Sequence, residues 1–443
     1  MTEQRVTHRR AEQRVPMSAR WLALGAIVAI LAAATVLVIG GIGSVLVLLS
    51  ALAANAISLA GAWWFVSRHH LARWLGAVLM VAAPCAVLVW YIVRNVFWAV
   101  IVVIVLVGIS VALGRAALTK LHPPQKAPEY PAPPARRPFV LMNPRSGGGK
   151  VGRFDLVAKS QALGADVQLL EGPGHVDVAD LAEHAVTDGH DLLGVAGGDG
   201  TQALVAGIAA ANDLPFLVIS AGTRNHFAMD LGLDREHPDA GLEALTDAVE
   251  LCIDLGEING RTFVNNASFG AYAEVVRSPE YRDDKRGTTL RMLPDVLSGH
   301  SGARLTAYAD GELISSGPKA VLVSNNQYLF NDLVGLGSRP RLDLGVLGVV
   351  AVTVNSAAQA VRLLNGARSD GLLQRTAHEV VIDADRDEIP VGIDGESVML
   401  RTPVRCIVRP HALRVRVPRG RKVQVVQARF DARAVLRAAV ARV

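Results

Sequence analysis

Three glycine-rich segments carry residues whose types and spacing suggest phosphate chemistry. Each follows a short apolar run and leads into a helical pattern. Glycine lets a backbone approach a ligand closely and exposes successive N–H groups, and the N-terminus of a helix favours an anion. The pattern predicts a phosphate-binding site, although single glycine-rich turns are also ordinary connections. The segments are Asn143-Pro144-Arg145-Ser146-Gly147-Gly148-Gly149-Lys150, Gly197-Gly198-Asp199-Gly200-Thr201 and Ala221-Gly222-Thr223-Arg224-Asn225.

Acidic residues are the next candidates for chemistry at such a site, because a carboxylate can accept a proton. Asp199 could face the phosphates or simply cap a helix. Two Asp-Gly-Glu triplets begin at Asp310 and Asp394. Since Asp-Gly is a strong hairpin signal, both triplets are candidates for β-turns. The first lies between polar strands and is predicted to be a turn only.

Two common nucleotide-binding fingerprints are absent from the sequence. Gly149-Lys150 is followed by Val151, so there is no Walker A motif, and Lys150 can be interpreted as a solvated loop lysine. No GxGxxG follows the first strand, which argues against a dinucleotide-dependent dehydrogenase. The three cysteines have no metal-ligand spacing, which argues against a zinc site or a disulfide framework.

The elements around these segments must bring them together. Between residues 139 and 220, short apolar runs alternate with helical patterns, which predicts a parallel sheet with helices on both faces. Ligands bind at the carboxyl ends of such strands. The predicted strands are Phe139–Met142, Asp166–Leu170, Asp191–Ala196 and Pro215–Ser220, and the helices are Arg153–Leu163, Val176–Val186 and Thr201–Ala211. Later Val-rich runs are also predicted to be strands: Arg261–Ser268, Arg304–Ala309, Ala320–Asn325, Leu347–Val354, Glu379–Asp383, Val404–Val408 and Leu413–Val417.

The three segments, in this order and with Phe227-Ala228 after the third, resemble the diacylglycerol kinase catalytic family. That family includes bacterial lipid kinases and the sphingosine and ceramide kinases. The resemblance covers about residues 139–418, and within this range it includes the run Val323-Ser324-Asn325. It implies an α/β fold, with a Rossmann-like parallel-sheet nucleotide domain followed by a β-rich sandwich domain and the active site between them. It also implies ATP and Mg²⁺ as cofactors.

The resemblance assigns roles to the acidic residues. The run from Val391 to Glu396 matches the family's catalytic triplet, which implies Glu396 as the proton acceptor and Asp394 as the residue that positions it or the metal. Asp199 would face the phosphates and Mg²⁺. The implied ATP-binding residues are Asn143, Pro144, Arg145, Ser146, Gly147, Gly197, Gly198, Asp199, Gly200, Thr201, Gly222, Thr223 and Asn225.

Several positions depart from the family's pattern. Ala203-Leu204 stands where the family has Asn-Glu, His226 where it has Asp, and Leu170 where it has Thr. Near the family's accessory Mg²⁺ site, Leu344-Gly345 replaces Asp-Gly and leaves Asp343 one place early. These departures argue for an altered purine side of the nucleotide site and against the accessory metal at Asp343.

The first 120 residues differ from the rest of the chain. Of the 443 residues, 51% are hydrophobic and 19% are charged, and the shortage of charge lies in this region. Long uncharged runs predict a bundle of four transmembrane helices near residues 21–39, 43–66, 74–93 and 95–114. Lys and Arg flank the helices in a pattern that predicts both ends in the cytoplasm. No predicted span carries a buried acid or base, which favours an anchor over a channel.

The predicted organisation has six parts. Arg429, Arg433 and Arg437 share one face of a predicted helix and could dock anionic headgroups or face solvent. Residues 278–299 are predicted to be a surface loop, with a mobile lid as the alternative. The parts are a basic tail (1–20), four transmembrane helices (21–117), a Pro-rich linker (118–138), a nucleotide-binding domain (139–254), a β-rich lipid-substrate domain (255–418) and a basic C-terminal helix (419–443).

This combination predicts a multi-pass protein of the cell membrane with cytoplasmic catalytic domains, which phosphorylates a diacylglycerol-like lipid with ATP. Its partners would be that lipid and anionic headgroups, and not nucleic acid. One alternative is a membrane-tethered nucleotide-binding regulator without catalysis, which the departures motivate and the retention of Asp199 and Glu396 opposes. Another is an enzyme similar to NAD kinases, which the four predicted spans oppose.

Overall fold

The computed structural model describes ten stretches of the chain, and the predicted loop at 278–299 and Arg429 lie outside them. The chain forms two compact units. The first contains Met1–Ala62, Ala77–Gln125 and Val425–Val443, and the second contains Trp63–Gly76 and Lys126–Gln424. The described residues are 16–39, 42–67, 70–94, 97–121, 127–171, 177–270, 303–328, 338–353, 372–421 and 432–440.

Long apolar helices make up most of the first unit. By length and composition, three of the described helices could cross a membrane, at Met17–Val36, Arg73–Val93 and Phe97–Leu121, and a shorter apolar stretch is Leu49–Phe65. The full bounds are α1 (Met17–Ile39), α2 (Ile42–Ser67), α3 (His70–Val93) and α4 (Phe97–Leu121). α1 packs along α4, and the Ser110 hydroxyl donates a 2.7 Å hydrogen bond to the Ala26 carbonyl.

Helix and strand residues lie within the predicted linker at 118–138. α4 continues to Leu121 because Ala117 and Leu118 are buried against other helices. In the second unit, β1 (Glu129–Pro131) pairs with a later strand, and the backbone N–H groups of Arg136 and Arg137 donate to the Asp191 carboxylate. Proline excludes helix here but leaves this edge pairing available.

The first half of the second unit contains the predicted parallel sheet. Alternate residues of its strands enter two separate hydrophobic clusters, each of which includes residues of helices, so helices cover both faces. The strands are β2 (Pro138–Met142), β3 (Asp166–Leu169), β4 (Leu192–Ala196) and β5 (Phe216–Ile219), in the order β5-β4-β2-β3. The helices are α5 (Lys150–Arg153), α6 (Leu156–Ala162), α7 (Val178–Thr187), α8 (Asp199–Ala211) and α9 (His226–Asp230).

The sheet continues with strands from the second half of the chain. The predicted boundary between the nucleotide-binding and β-rich domains, at residue 254, falls inside one strand of this sheet, β6 (Ala248–Ile258). The two strands predicted at 404–408 and 413–417 are one strand, β17 (Val404–Pro418). Its register against β6 shifts between Arg409 and Leu413. β17 also pairs with β5, and this pairing joins the β-rich part to the parallel sheet.

The β-rich part is a sandwich, as predicted. The sheet that contains the parallel strands, β1, β6 and β17 has eleven strands among the described residues. Its other four strands are β7 (Arg261–Phe263), β9 (Leu305–Ala309), β10 (Glu312–Ser316) and β14 (Glu379–Ala384). A six-stranded sheet contains β8 (Asn266–Gly270), β11 (Ala320–Asn325), β12 (Leu347–Val352), β13 (Leu372–Ala377), β15 (Glu388–Ile393) and β16 (Glu396–Arg401). Apolar side chains from both sheets, among them Phe269 and Ile382, form one buried cluster.

Two predicted elements are broken in the structure. The helix predicted at 153–163 divides into α5 and α6 at Asp155, whose φ of 52° lies in the left-handed region. The strand predicted at 261–268 divides into β7 and β8, because the backbone N–H groups of Val264 and Asn265 donate to a carboxylate. That carboxylate belongs to Asp394.

Candidate functional site

The three glycine-rich loops lie against each other. A Cβ atom on Gly147, whose φ is 57°, would stand 2.4 Å from the Ala221 carbonyl oxygen of the third loop. A Cβ atom on Gly222 would stand 2.8 Å from the Gly197 carbonyl oxygen of the second loop. Only glycine permits both approaches, so the loops are close because of their sequence.

Two of the predicted ATP ligands bind their own loops instead. Asn225 is fully buried, its Oδ1 accepts the Gly222 N–H at 2.8 Å, and its Nδ2 donates to the carbonyls of Ser220 and Gly222. Asn143 Oδ1 accepts the Arg145 N–H at 3.0 Å. Both side chains therefore shape their own loops.

The interpretation of Lys150 as a solvated loop lysine is wrong. Its side chain is buried rather than solvated, and Nζ donates a 2.6 Å hydrogen bond to the Arg235 carbonyl. Burial lowers the pKa of Lys150. This lysine ties the first loop to the segment after α9.

Asp199 joins the second loop to the third. It is the first residue of α8, whose N-cap is Gly198, so its carboxylate does not cap that helix. The two oxygens instead accept the N–H groups of His226 at 3.3 Å and Phe227 at 3.2 Å, at the start of α9. Asp199 is buried, and burial lowers the pKa of the adjacent His226 although the charge of Asp199 opposes that shift.

Asp394 lies in the turn between β15 and β16, with a φ of 47°. Its carboxylate accepts three backbone N–H groups, from Val264 at 2.9 Å, Asn265 at 2.8 Å and Asn266 at 3.0 Å. Burial raises the pKa of Asp394 to about 7, the N–H donors oppose that shift and the charge of Asp199 adds to it. Asp394 therefore anchors the turn to the break between β7 and β8.

Glu396 comes from the β-rich part but lies against the second glycine-rich loop. A Cβ atom on Gly200 would stand 2.4 Å from its Oε1, so a side chain at position 200 would displace the carboxylate. Its Oε2 accepts a 3.0 Å hydrogen bond from Arg261, and its side chain is 56% exposed. The structure thus brings Glu396, Asp394 and Asp199 together around the start of α8.

A groove of about 460 Å³ opens beside this cluster. One wall is α8, where Ala203 and Leu204 are two of the positions that depart from the family's pattern. The lining also includes Asp394, Arg261 and Arg409. The α8 wall is apolar at Ala203-Leu204, where the family's pattern is polar.

Sequence reasoning missed Arg339, which organises the site from behind. Arg339 is fully buried, and its guanidinium forms a 2.7 Å ion pair with Asp230 at the end of α9. It also donates to the carbonyls of Val264 (2.6 Å) and Asn325 (2.9 Å). In the segment at 264–266, carbonyl oxygens therefore accept hydrogen bonds from Arg339, and N–H groups donate hydrogen bonds to Asp394. A lone arginine in a loop gives no local signal for such a role.

The accessory metal site does not fit these residues. Both carboxylate oxygens of Asp343 accept hydrogen bonds from Arg341, at 2.5 and 2.7 Å, so a guanidinium lies where a cation would bind. Leu344 and Gly345 add no carboxylate. The oxygens of nearby Asp254 accept the N–H groups of Gly345 and His411.

The nucleotide-linked Mg²⁺ ion is a different case. Across the described stretches, no group of three or more His, Cys, Asp or Glu residues is arranged to hold a metal. Mg²⁺ in kinase sites, however, is typically bound by one or two carboxylates together with substrate phosphates. Asp199, beside the loops, fits that donor set.

Comparisons with known proteins relate the nucleotide-binding half of the second unit to diacylglycerol kinases. Residues 137–258 match the family model of the diacylglycerol kinase catalytic domain. The resemblance to the diacylglycerol kinase catalytic family is thereby confirmed. A diacylglycerol kinase of Mycobacterium tuberculosis (strain CDC 1551 / Oshkosh) is 34% identical over 121 residues, which are 27% of this chain and 39% of that protein. One from Bacillus subtilis (strain 168) is 32% identical over 144 residues, or 32% and 48% of the two chains.

A longer match extends the likeness beyond the nucleotide-binding half. A Pseudomonas aeruginosa protein named "Probable lipid kinase YegS-like" is 29% identical over 298 residues, which cover 64% of this chain and 94% of that protein. The chain spans about half or less of the length of the curated diacylglycerol kinases above. A solved structure of a candidate diacylglycerol kinase from Bacillus anthracis str. Sterne has a TM-score of 0.52 at 20% identity, covering 65% of this chain and 99% of that one. This last likeness shows the fold of the second unit.

Proposed function

We propose that the protein is a membrane-anchored lipid kinase, which transfers the γ-phosphoryl group of ATP to a hydroxyl group of a diacylglycerol-like lipid. The observation that carries this proposal is the contact of Glu396 with Gly200. It brings a carboxylate from the β-rich part against a glycine-rich loop, beside Asp199 and Asp394. The names of the relatives support the class of reaction.

The glycine-rich loops bind the triphosphate in this proposal. Their backbone N–H groups face the phosphates, and the start of α8 adds the partial positive charge of a helix N-terminus. Ser146, Thr201 and Thr223 keep surface exposure and supply hydroxyl groups. Mg²⁺, held by Asp199 together with phosphate oxygens, would neutralise charge on the phosphates.

Glu396 acts as the general base. It accepts the proton of the lipid hydroxyl while that oxygen forms a bond to the γ-phosphorus. The bond between the γ-phosphorus and the bridging oxygen breaks, and ADP leaves. Arg261, in an ion pair with Glu396, adds positive charge near the transferred group. Asp394 positions Glu396 through the turn that the two residues share.

The apolar helices hold the enzyme at the bilayer that contains its substrate, which raises the effective concentration of the lipid. The proposal includes a fourth span in α2, since an even number of spans places both ends of the chain on one side. The Lys and Arg distribution favours the cytoplasmic side for both ends.

The test is transfer of label from [γ-³²P]ATP to total membrane lipids by wild type, Glu396→Gln and Glu312→Gln. We expect Glu396→Gln to lose at least about a hundredfold in labelling while it keeps ATP binding, because the glutamine amide cannot accept the proton. Glu312→Gln is the matched control, since it changes the exposed glutamate of the other Asp-Gly-Glu triplet.

Other outcomes of this experiment would contradict the proposal. Wild type that binds ATP but labels no lipid would indicate a nucleotide-binding regulator. Label that appears on NAD or another soluble nucleotide, and not on lipid, would indicate an enzyme similar to NAD kinases. Equal labelling by wild type and Glu396→Gln would remove Glu396 from its assigned role.

A further inference from the structure

The C-terminal helix, α10 (Ala432–Val440), has one buried face. Val435, Ala438 and Ala439 are 4%, 3% and 3% exposed, whereas Leu436 and Val440 are 56% and 74% exposed. The buried residues are spaced three and four apart, so they lie on one side of the helix. An isolated helix of nine residues is unstable in water, which means that contacts on this side stabilise it.

Those contacts are with the apolar helices of the first unit. The buried face of α10 packs into one cluster with Ala23 and Ala26 of α1 and with Ala117 and Leu118 of α4. The small side chains of Ala23, Ala26 and Ala117 let the helices approach closely. α10 therefore packs against the surface that α1 and α4 form together.

A hydrogen bond from α1 stabilises the C-terminal end of α10. Arg20 Nε, near the start of α1, donates a 3.3 Å hydrogen bond to the carbonyl oxygen of Ala439. The last carbonyl groups of a helix lack partners within the helix, and a cation at that end is favourable. The contact joins residues 419 positions apart in the chain.

We infer that α10 is a second attachment point for the catalytic part of the chain. Residues 127–421 are joined to the apolar helices covalently through the segment after α4, and also non-covalently through the docking of α10 on α1 and α4. The partner surface of α10 is thus a face of its own chain and not a bilayer of anionic lipid. Two attachments restrict the orientations of the catalytic part more than one does, since the second contact forms within one molecule.

The experiment is controlled cleavage of the full chain in membrane vesicles. A site for a specific protease is placed between residues 121 and 127, the chain is cut, and membranes are sedimented in 1 M NaCl. Screening at this concentration, with a Debye length of about 3 Å, removes attraction to headgroups. We expect the fragment that begins after the cut to stay with the membranes.

Neighbouring substitutions on α10 form a matched pair. Val435→Asp places a charge in the buried face, and we expect at least about tenfold more of the fragment in the supernatant. Leu436→Asp places the same charge one residue later on an exposed position, and its fragment is expected to stay with the membranes. Arg20→Met, which leaves α10 itself unchanged, is expected to increase release. ATP binding by the released fragment shows that it is folded.

Three outcomes would overturn the inference. They are release of the wild-type fragment, retention of the Val435→Asp fragment, and release of the Leu436→Asp fragment to the same extent as that of Val435→Asp. The last would assign retention to contact of the exposed face with lipid. None of these measurements depends on phosphoryl transfer, so the inference can fail while the proposed function stands.

Discussion

Asp394 and Glu396 are two residues apart but lie in different environments. Asp394 is shielded and accepts three backbone N–H groups, so it fixes the conformation of the turn. Glu396 is exposed and paired with Arg261, which leaves a carboxylate at the surface of the site. A general base must reach its substrate, and the proposed function gives that role to the exposed residue, Glu396.

The other Asp-Gly-Glu triplet shows what burial changes. Asp310 has nearly the same φ as Asp394, at 48°, and accepts the N–H groups of His378 and Glu379. These hydrogen bonds lower the pKa of Asp310. Burial raises the pKa of Asp394 to about 7. The same local sequence therefore gives shifts of opposite sign.

The shift at Asp394 predicts a pH dependence of stability. The folded protein holds this proton at pH values where the unfolded chain, with a pKa of about 4, has released it. The free energy of unfolding should therefore fall as pH rises from about 4 to about 7, by up to about 1.4 kcal/mol per pH unit. Asp394→Asn should remove this part of the slope, measured by denaturant unfolding at several pH values.

Asp310→Asn is the control for that experiment. A lowered pKa in the folded state stabilises the protein above about pH 4, and this contribution is lost as pH falls further. Relative to wild type, Asp310→Asn should keep the slope between pH 5 and pH 7. Identical slopes for wild type and Asp394→Asn would contradict the prediction.

At the scale of elements, the close approach of the loops depends on glycine. Gly147→Ala should displace the first loop from the third, because the new Cβ atom would stand 2.4 Å from the Ala221 carbonyl oxygen. We expect ATP affinity to fall at least about tenfold, measured by calorimetry. The control is Gly164→Ala, where φ is 84° and a Cβ atom would have no neighbour within 4 Å.

Both alanine variants carry the strain of a left-handed backbone conformation, about 1–2 kcal/mol. Only Gly147→Ala adds the contact with the third loop. Equal losses of affinity in the two variants would show that loop contact has no role in binding.

Arg339 connects three elements, since it bonds to the end of α9, the segment before β8 and the end of β11. Arg339→Lys should lower the free energy of unfolding by about 3–5 kcal/mol, because an ammonium group cannot reach all of these acceptors. Arg375→Lys, which changes an exposed partner of Glu312, should cost less than about 1 kcal/mol. Denaturant unfolding measures both, and equal effects would contradict the assigned role.

At the scale of the whole molecule, the proposed topology can be tested with reporter fusions. Alkaline phosphatase fused after residue 40 or 95 should be active, because both positions lie outside the cytoplasm in a four-span protein. Fusions after residue 69 or 122 should be inactive. Activity after residue 122 would mean an odd number of spans and would place the catalytic part outside the cytoplasm.

Much of the site could be predicted from the sequence because its signals are local. The loops are marked by glycine next to apolar runs, and the apolar helices by uninterrupted hydrophobic stretches, so neighbours along the chain carry the information. The role of Asn225 could not be predicted in this way. Its loop uses every polar group of the side chain, which is visible only once the backbone positions are known.

By itself, the sequence determined the order of the elements, the apolar region and the residue types of the site, since each depends on local spacing. Only the tertiary structure decided which residues meet. Arg261 and Glu396 are 135 positions apart, and Arg20 and Ala439 are 419 apart. Such contacts depend on how the strands and helices pack, because packing brings together groups that no local pattern relates.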